Sequence, residues 1–214
     1  MSSTSRIRED VARSQSTFRH LVNALARPGI VVPIGEPGLY DSRHDSSIDT
    51  PLSSSTQSLV DTLLDVETTF AVTSSKTEGH ARLIRERTYA RIAAPEEADF
   101  LFLLRGGSSA EQFMESARIG TLEEPHRGAT VVIEVDELAP VEKPGTLRHD
   151  LVGPGIAGLR SLWIAADFDW CAPRNRKVVT YPLGLEVFLV DATNNLVGLP
   201  RTTRIQPASD TGAI

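Results

Sequence analysis

The stretch from Tyr181 to Arg204, YPLGLEVFLVDATNNLVGLPRTTR, constrains the fold more than any other. Leu185 to Val190 is an apolar run broken only by Glu186 and rich in Val, Phe and Leu. That length and composition suit a strand buried on both faces. Asn194-Asn195 follows Asp191, and Asn tolerates positive φ at low cost, so the pair predicts a hairpin turn. Leu196, Val197 and Leu199 return as a second strand, in which Gly198 marks a bulge or a close backbone approach. Pro182 and Gly184 set the entry, and Pro200 ends the ladder because it has no N–H to donate. The segment after Pro200 is expected to display two guanidiniums, Arg201 and Arg204, and two hydroxyls, Thr202 and Thr203. Guanidiniums grip phosphate or carboxylate bidentately and threonines add donors. This exit is therefore the candidate contact, with three readings open: a partner or second copy, a phosphate-bearing ligand, or local ion pairs.

The rest of the chain alternates helices and short strands. Asp10 to Ala26 carries Val11, Phe18, Leu21, Val22 and Leu25 largely on one stripe, and Pro28-Gly29 stops that helix. Ile30 to Ile34 reads as a strand that Pro33 confines to an edge. Gly35 to Pro51 reads as a flexible loop. A second helix starts among Ser53 to Thr56, with Leu59, Val60, Leu63 and Leu64 facing the core. Thr69–Thr73, Tyr89–Ala93, Phe100–Leu104 and Ala129–Val135 read as strands, and Glu78–Arg87 and Ser109–Ala117 as helices. Thr146 to Leu151 is expected to pair with Ala129–Val135, and Gly153-Pro154-Gly155 forces a turn. Leu159 to Ala166 fits either element and is read as a strand; Asp169 to Val178 is read as a helix. The sum is an α/β fold, one three-layer α/β/α domain over residues 1–214 with a mixed sheet. Residues 1–8 and 206–214 are expected to be disordered tails.

Composition narrows the function. A net charge of −6 without a basic run argues against a nucleic-acid binder. Cys171 is the only cysteine, so neither an intrachain disulfide nor a Cys-based zinc site is available. No segment has the apolar length of a signal peptide core or a membrane span, and the cytoplasm is the expected location. Five scattered histidines show no metal spacing. Gly153, Gly155 and Gly158 match the spacing of a dinucleotide loop, but Pro154 removes a donor and no early βαβ unit frames them. Asp61 and Asp65, one turn apart, read as a solvated helix face. No complete catalytic constellation emerges, and neither a metal nor a cofactor is expected.

Six motifs in order nevertheless resemble one family. Phe18–Gly29 (FRHLVNALARPG), Leu59–Thr69 (LVDTLLDVETT), Gly128–Val132 after Pro125, the L-x-G-P-G-I turn of Leu151–Ile156, Tyr181–Glu186 (YPLGLE) and Leu199–Thr203 (LPRTT) resemble the H subunit of the bacterial carbon–phosphorus lyase system, the PhnH family. Tyr181 and Glu186 stand where the family pattern has Phe and Asp. The resemblance implies an accessory subunit acting with G, I and J subunits in phosphonate breakdown. There it would support formation of alpha-D-ribose 1-methylphosphonate 5-triphosphate from ATP and methylphosphonate. Radical chemistry would belong to the J subunit and the nucleosidase-type step to the I subunit. The resemblance also implies a fold similar to the large domain of pyridoxal-phosphate-dependent transferases, without the cofactor, and a possible homodimer when isolated. Only Lys76, Lys143 and Lys177 could form a Schiff base, and none has a persuasive context. The alternative is a free-standing nucleotide- or phosphate-ligand-binding protein using the Gly153–Gly158 turn and Arg201.

Overall fold

The computed structural model describes residues 3–34, 52–107, 109–178 and 180–206, so the expected loop at 35–51 and the tail beyond Gln206 lie outside them. Five α-helices are described: α1 (Ser3–Ala26), α2 (Ser54–Leu63), α3 (Thr77–Thr88), α4 (Ala110–Ser116) and α5 (Cys171–Lys177). The strands are β1 (Val32–Pro33), β2 (Thr69–Thr73), β3 (Arg91–Ile92), β4 (Phe100–Leu103), β5 (Thr130–Glu134), β6 (Glu137–Ala139), β7 (Leu147–Val152), β8 (Arg160–Ala165), β9 (Glu186–Val190), β10 (Asn195–Leu199) and β11 (Arg204–Gln206). Two boundaries differ from expectation. Helix α1 begins at Ser3, within the stretch read as frayed, because propagation from an established helix costs little per residue. At the other end, Gln206 belongs to a strand.

Seven strands form one mixed sheet in the order β1-β10-β9-β5-β4-β2-β3. The ladders from β9 to β3 are parallel, while β10 and β1 add antiparallel. Parallel strands covered on both faces need apolar residues at every position, which FLFL and VVI supply. Their period of two divides the core cleanly. Leu101, Leu103, Val131, Ile133, Val187 and Leu189 face one cluster. Phe102, Leu104, Val132, Phe188 and Val190 face the other, beneath α1, α2 and α3. The expected hairpin is present, with Asn194 at φ 63° and β10 antiparallel to β9. Ser53 caps α2 by accepting from the Thr56 N–H at 3.2 Å.

The third layer is the main correction. Thr146–Leu151 does not pair with Ala129–Val135, since β5 already has β4 on one side and β9 on the other. Strand β7 instead joins a separate antiparallel sheet, β11-β7-β8-β6. Its Leu138, Leu151, Leu162, Ile164 and Ile205 pack with Met114 of α4 into the first cluster. The layers are therefore helices, mixed sheet, and a second sheet flanked by α4 and α5, rather than α/β/α. Among the described residues no helix is long and apolar enough to cross a membrane.

Candidate functional site

The glycine and proline motifs, far apart in sequence, converge at the edge where β9 enters the large sheet and β10 leaves it. The register pairs Leu199 with Val187, so the chain beyond Pro200 passes the start of β9. There the Thr203 N–H donates to the Pro200 carbonyl at 2.9 Å and closes a turn. Gly153 lies against this turn at φ 145°, where a Cβ would stand 2.8 Å from the Thr202 carbonyl oxygen. On the other side, a Cβ on Gly184 would meet Arg201 Cβ at 3.0 Å. The resulting cleft, about 440 Å³, is lined by Pro154, Val178, Thr180, Tyr181, Arg201, Thr202 and Arg204.

Arg201 and Thr203 are not on display as the sequence suggested. The Arg201 side chain is 14 % exposed, and its Nε donates to Glu186 Oε1 at 2.6 Å. Its backbone N–H donates to the other Glu186 oxygen, and Nη1 donates to the carbonyls of Pro125 and Pro182. Thr203 is fully buried, Thr202 is half-buried, and Arg204 is exposed. Burial follows from Glu186: a carboxylate interrupting an apolar strand draws the nearest guanidinium inward. Arg201 thus makes a local ion pair with Glu186.

Sequence reasoning passed over Arg174. On α5 it is fully buried, and its Nη2 donates to the carbonyls of Pro200 at 2.9 Å and Thr203 at 3.0 Å. It thus lies beneath the turn that forms one wall of the cleft. Nε and Nη1 have no hydrogen-bond partner among the described residues, nor does the Thr203 hydroxyl. Burial lowers the guanidinium to about 10, with Cys171 and Glu186 opposing the shift, so it stays charged at neutral pH. Glu186 pairs with Arg201 and acts on the charge of Arg174, and Arg204 lines the same cleft as Arg201.

The other candidates have structural partners. Asp61 pairs with Arg87, and Asp65 caps the turn through Glu67 and Thr68 N–H groups. Asp191 is buried and accepts from Leu138, Thr193 and Asn195. Glu134, at the end of β5, accepts from Ser53, Thr56 and the Arg105 N–H. His80 shares a 2.7 Å hydrogen bond with Ser74, and His149 stacks on Trp170. His44 lies outside the described residues. No group of three His, Cys, Asp or Glu that could hold a metal occurs among the described residues. Burial, with Asp169 nearby, pushes the Cys171 thiol up to about 11, so little thiolate exists at neutral pH. The Gly153–Gly158 segment joins antiparallel β7 to β8, so it opens no helix of the dinucleotide-binding kind. Lys143 pairs with Glu137 and Lys177 donates to the Ala117 carbonyl.

Comparison with known proteins agrees with the motif order. A family profile described as bacterial phosphonate metabolism protein (PhnH) matches residues 6–206. HtxG of Stutzerimonas stutzeri, named as a C-P lyase subunit protein, is 31 % identical over 195 residues, covering 90 % of this chain and 86 % of that one. The alpha-D-ribose 1-methylphosphonate 5-triphosphate synthase subunit PhnH of Rhizobium meliloti (strain 1021) is 26 % identical over 205 residues, 92 % of each chain.

Proposed function

Because the chain belongs to the PhnH family of bacterial phosphonate metabolism proteins, we propose that it is an accessory subunit of a carbon–phosphorus lyase assembly. In this reading it docks with G, I and J subunits in the cytoplasm. It supports formation of alpha-D-ribose 1-methylphosphonate 5-triphosphate from ATP and methylphosphonate. The observation that carries the reading is the match over residues 6–206, joined by two relatives that are both named as subunits. The geometry is consistent with it, since Asp61, Asp191, Glu134 and Arg201 are held in internal contacts rather than aimed at a common point. The proposal extends to the fold: a likeness to pyridoxal-phosphate transferases, with no cofactor bound. The contexts of Lys143 and Lys177 support that part.

Docking needs an apolar surface, and α1 offers one. Leu21 and Ala24 face the core, while Val11, Phe18 and Val22 lie on the outer side at 52 %, 56 % and 50 % exposure. Spacings of seven and four residues put these three on a single helical stripe. We assign that stripe to a partner subunit, and a homodimer of the isolated chain would use it in the partner's absence.

Reconstitution tests the role. Mixed G, I and J subunits supplied with ATP and methylphosphonate should form the ribosyl product, with release of adenine, only when this chain is added. The chain alone should form none. Turnover by the isolated chain, or full activity of the mixture without it, would contradict the reading.

A further inference from the structure

We propose that the cleft beside the Pro200–Thr203 turn is a binding site for an organic phosphate monoester, a dianionic head carried on a flat or apolar body. The head is inferred from charge. Arg201 and Arg204 line the cleft and Arg174 holds the turn beside it, in a protein whose overall charge is −6, so the cleft is a local exception. Arg174 contributes from below: it is fully buried, rigidly held by two carbonyls, and keeps Nε and Nη1 unpartnered. An unpaired guanidinium in a low-dielectric interior projects its field further than one in water. Above it, Arg201 spends Nε and Nη1 on Glu186 and carbonyls, and its Nη2 has no partner among the described residues. Arg204 stands exposed at the rim, and Thr180 and Thr202 add hydroxyl donors to the lining. Forked guanidinium and hydroxyl donors match phosphate as well as carboxylate oxygens, and several cations at one cleft favour the dianion of a phosphate monoester.

The body is inferred from shape. About 440 Å³ is more than a bare phosphate fills and falls within the usual range for small-molecule sites. Val178 and Pro154 supply apolar wall, and Tyr181, 75 % exposed, offers a ring on which a flat group can stack. The inference does not depend on the docking role, because the α1 stripe and the cleft share no residue.

Calorimetric titration of the full chain with phenyl phosphate, and separately with inorganic phosphate, tests the proposal. Phenyl phosphate should bind saturably, and more tightly than inorganic phosphate. Arg204→Ala should weaken both by about tenfold through loss of one charge-assisted contact. Tyr181→Ala should remove the advantage of phenyl phosphate and leave inorganic phosphate unchanged. Both side chains are exposed, so both variants should melt with the parent. Absence of saturable heat at millimolar phenyl phosphate, or binding unchanged in Arg204→Ala, would overturn the proposal. It would equally fail if Arg204→Ala abolished co-elution with the partner subunits while phenyl phosphate gave no heat, which would make the cleft a protein contact. If phosphate binding failed and co-elution persisted, the docking reading would stand alone.

Discussion

Gly198→Val should cost about 3 kcal/mol of folding stability, the upper end of what overpacking a core usually costs. A Cβ at Gly198 would stand 2.6 Å from the Ala24 carbonyl carbon, 2.8 Å from the Leu25 nitrogen and 2.9 Å from the Ala24 oxygen. All three are backbone atoms inside α1, so no rotamer change relieves the clash. Helix α1 must lift from β10, which uncovers Leu21, Ala24 and Leu196 in the same cluster. For a chain of this length the thermal midpoint should fall by about 10 °C. Gly79→Ala serves as the control. Nothing lies within 4 Å of its Cβ position and its backbone is helical, so stability should rise by about 0.5–1 kcal/mol. Equal midpoints for Gly198→Val and the parent would show that α1 does not seat on β10 as described.

Glu186→Ala should be the next most damaging change, at about 2–3 kcal/mol. Removing one partner of a fully buried ion pair costs about 3–5 kcal/mol because the other charge is left unpaired. Arg201 and Glu186 side chains are 14 % and 23 % exposed, so solvent recovers part of that loss. Two donors lose their acceptor together, Arg201 Nε and the Arg201 backbone N–H. Arg201→Met in the Glu186→Ala background should regain some stability, since it removes the orphaned charge. Urea denaturation of the two single variants and the double variant measures the coupling. A Glu186→Ala midpoint within error of the parent would mean the pair is solvent-screened and the turn held by its carbonyl contacts.

These residues also mark what could be read in advance. The large sheet was legible because its central strands are buried on both faces, and continuous apolar runs such as FLFLL and ATVVIEV have few other uses. The hairpin followed from the Asn194-Asn195 pair; the cap was placed only within Ser53–Thr56, and Gly198 was left as a bulge or a close approach, of which the close approach is present. Two strands of the second sheet were read, Thr146–Leu151 and Leu159–Ala166, but the sheet itself was not. Glu137–Ala139 and Arg204–Gln206 are three residues each, too short for a period to appear. Strand partners depend on which ladders are already filled, and composition does not state that.

The candidate site was half legible. Pro200 and the residues after it were singled out as a polar exit from the sheet, but the exposure of Arg201 and Thr203 was misjudged. Arg201 is withdrawn from solvent by Glu186, fifteen residues earlier, and the lone carboxylate in an apolar strand was the available sign that a cation must fold back to it. Arg174 had no such sign. Arginine is rarely fully buried, and the carbonyls that hold this one lie 26 and 29 residues downstream.

The most direct test of the subunit role is co-expression of this chain with the G, I and J subunits, followed by the mass and composition of the purified assembly. The parent chain should be recovered within the complex. Phe18→Asp, on the exposed side of α1, should melt with the parent yet be lost from the assembly. A parent chain that elutes by itself, with the other subunits complete without it, would contradict the account.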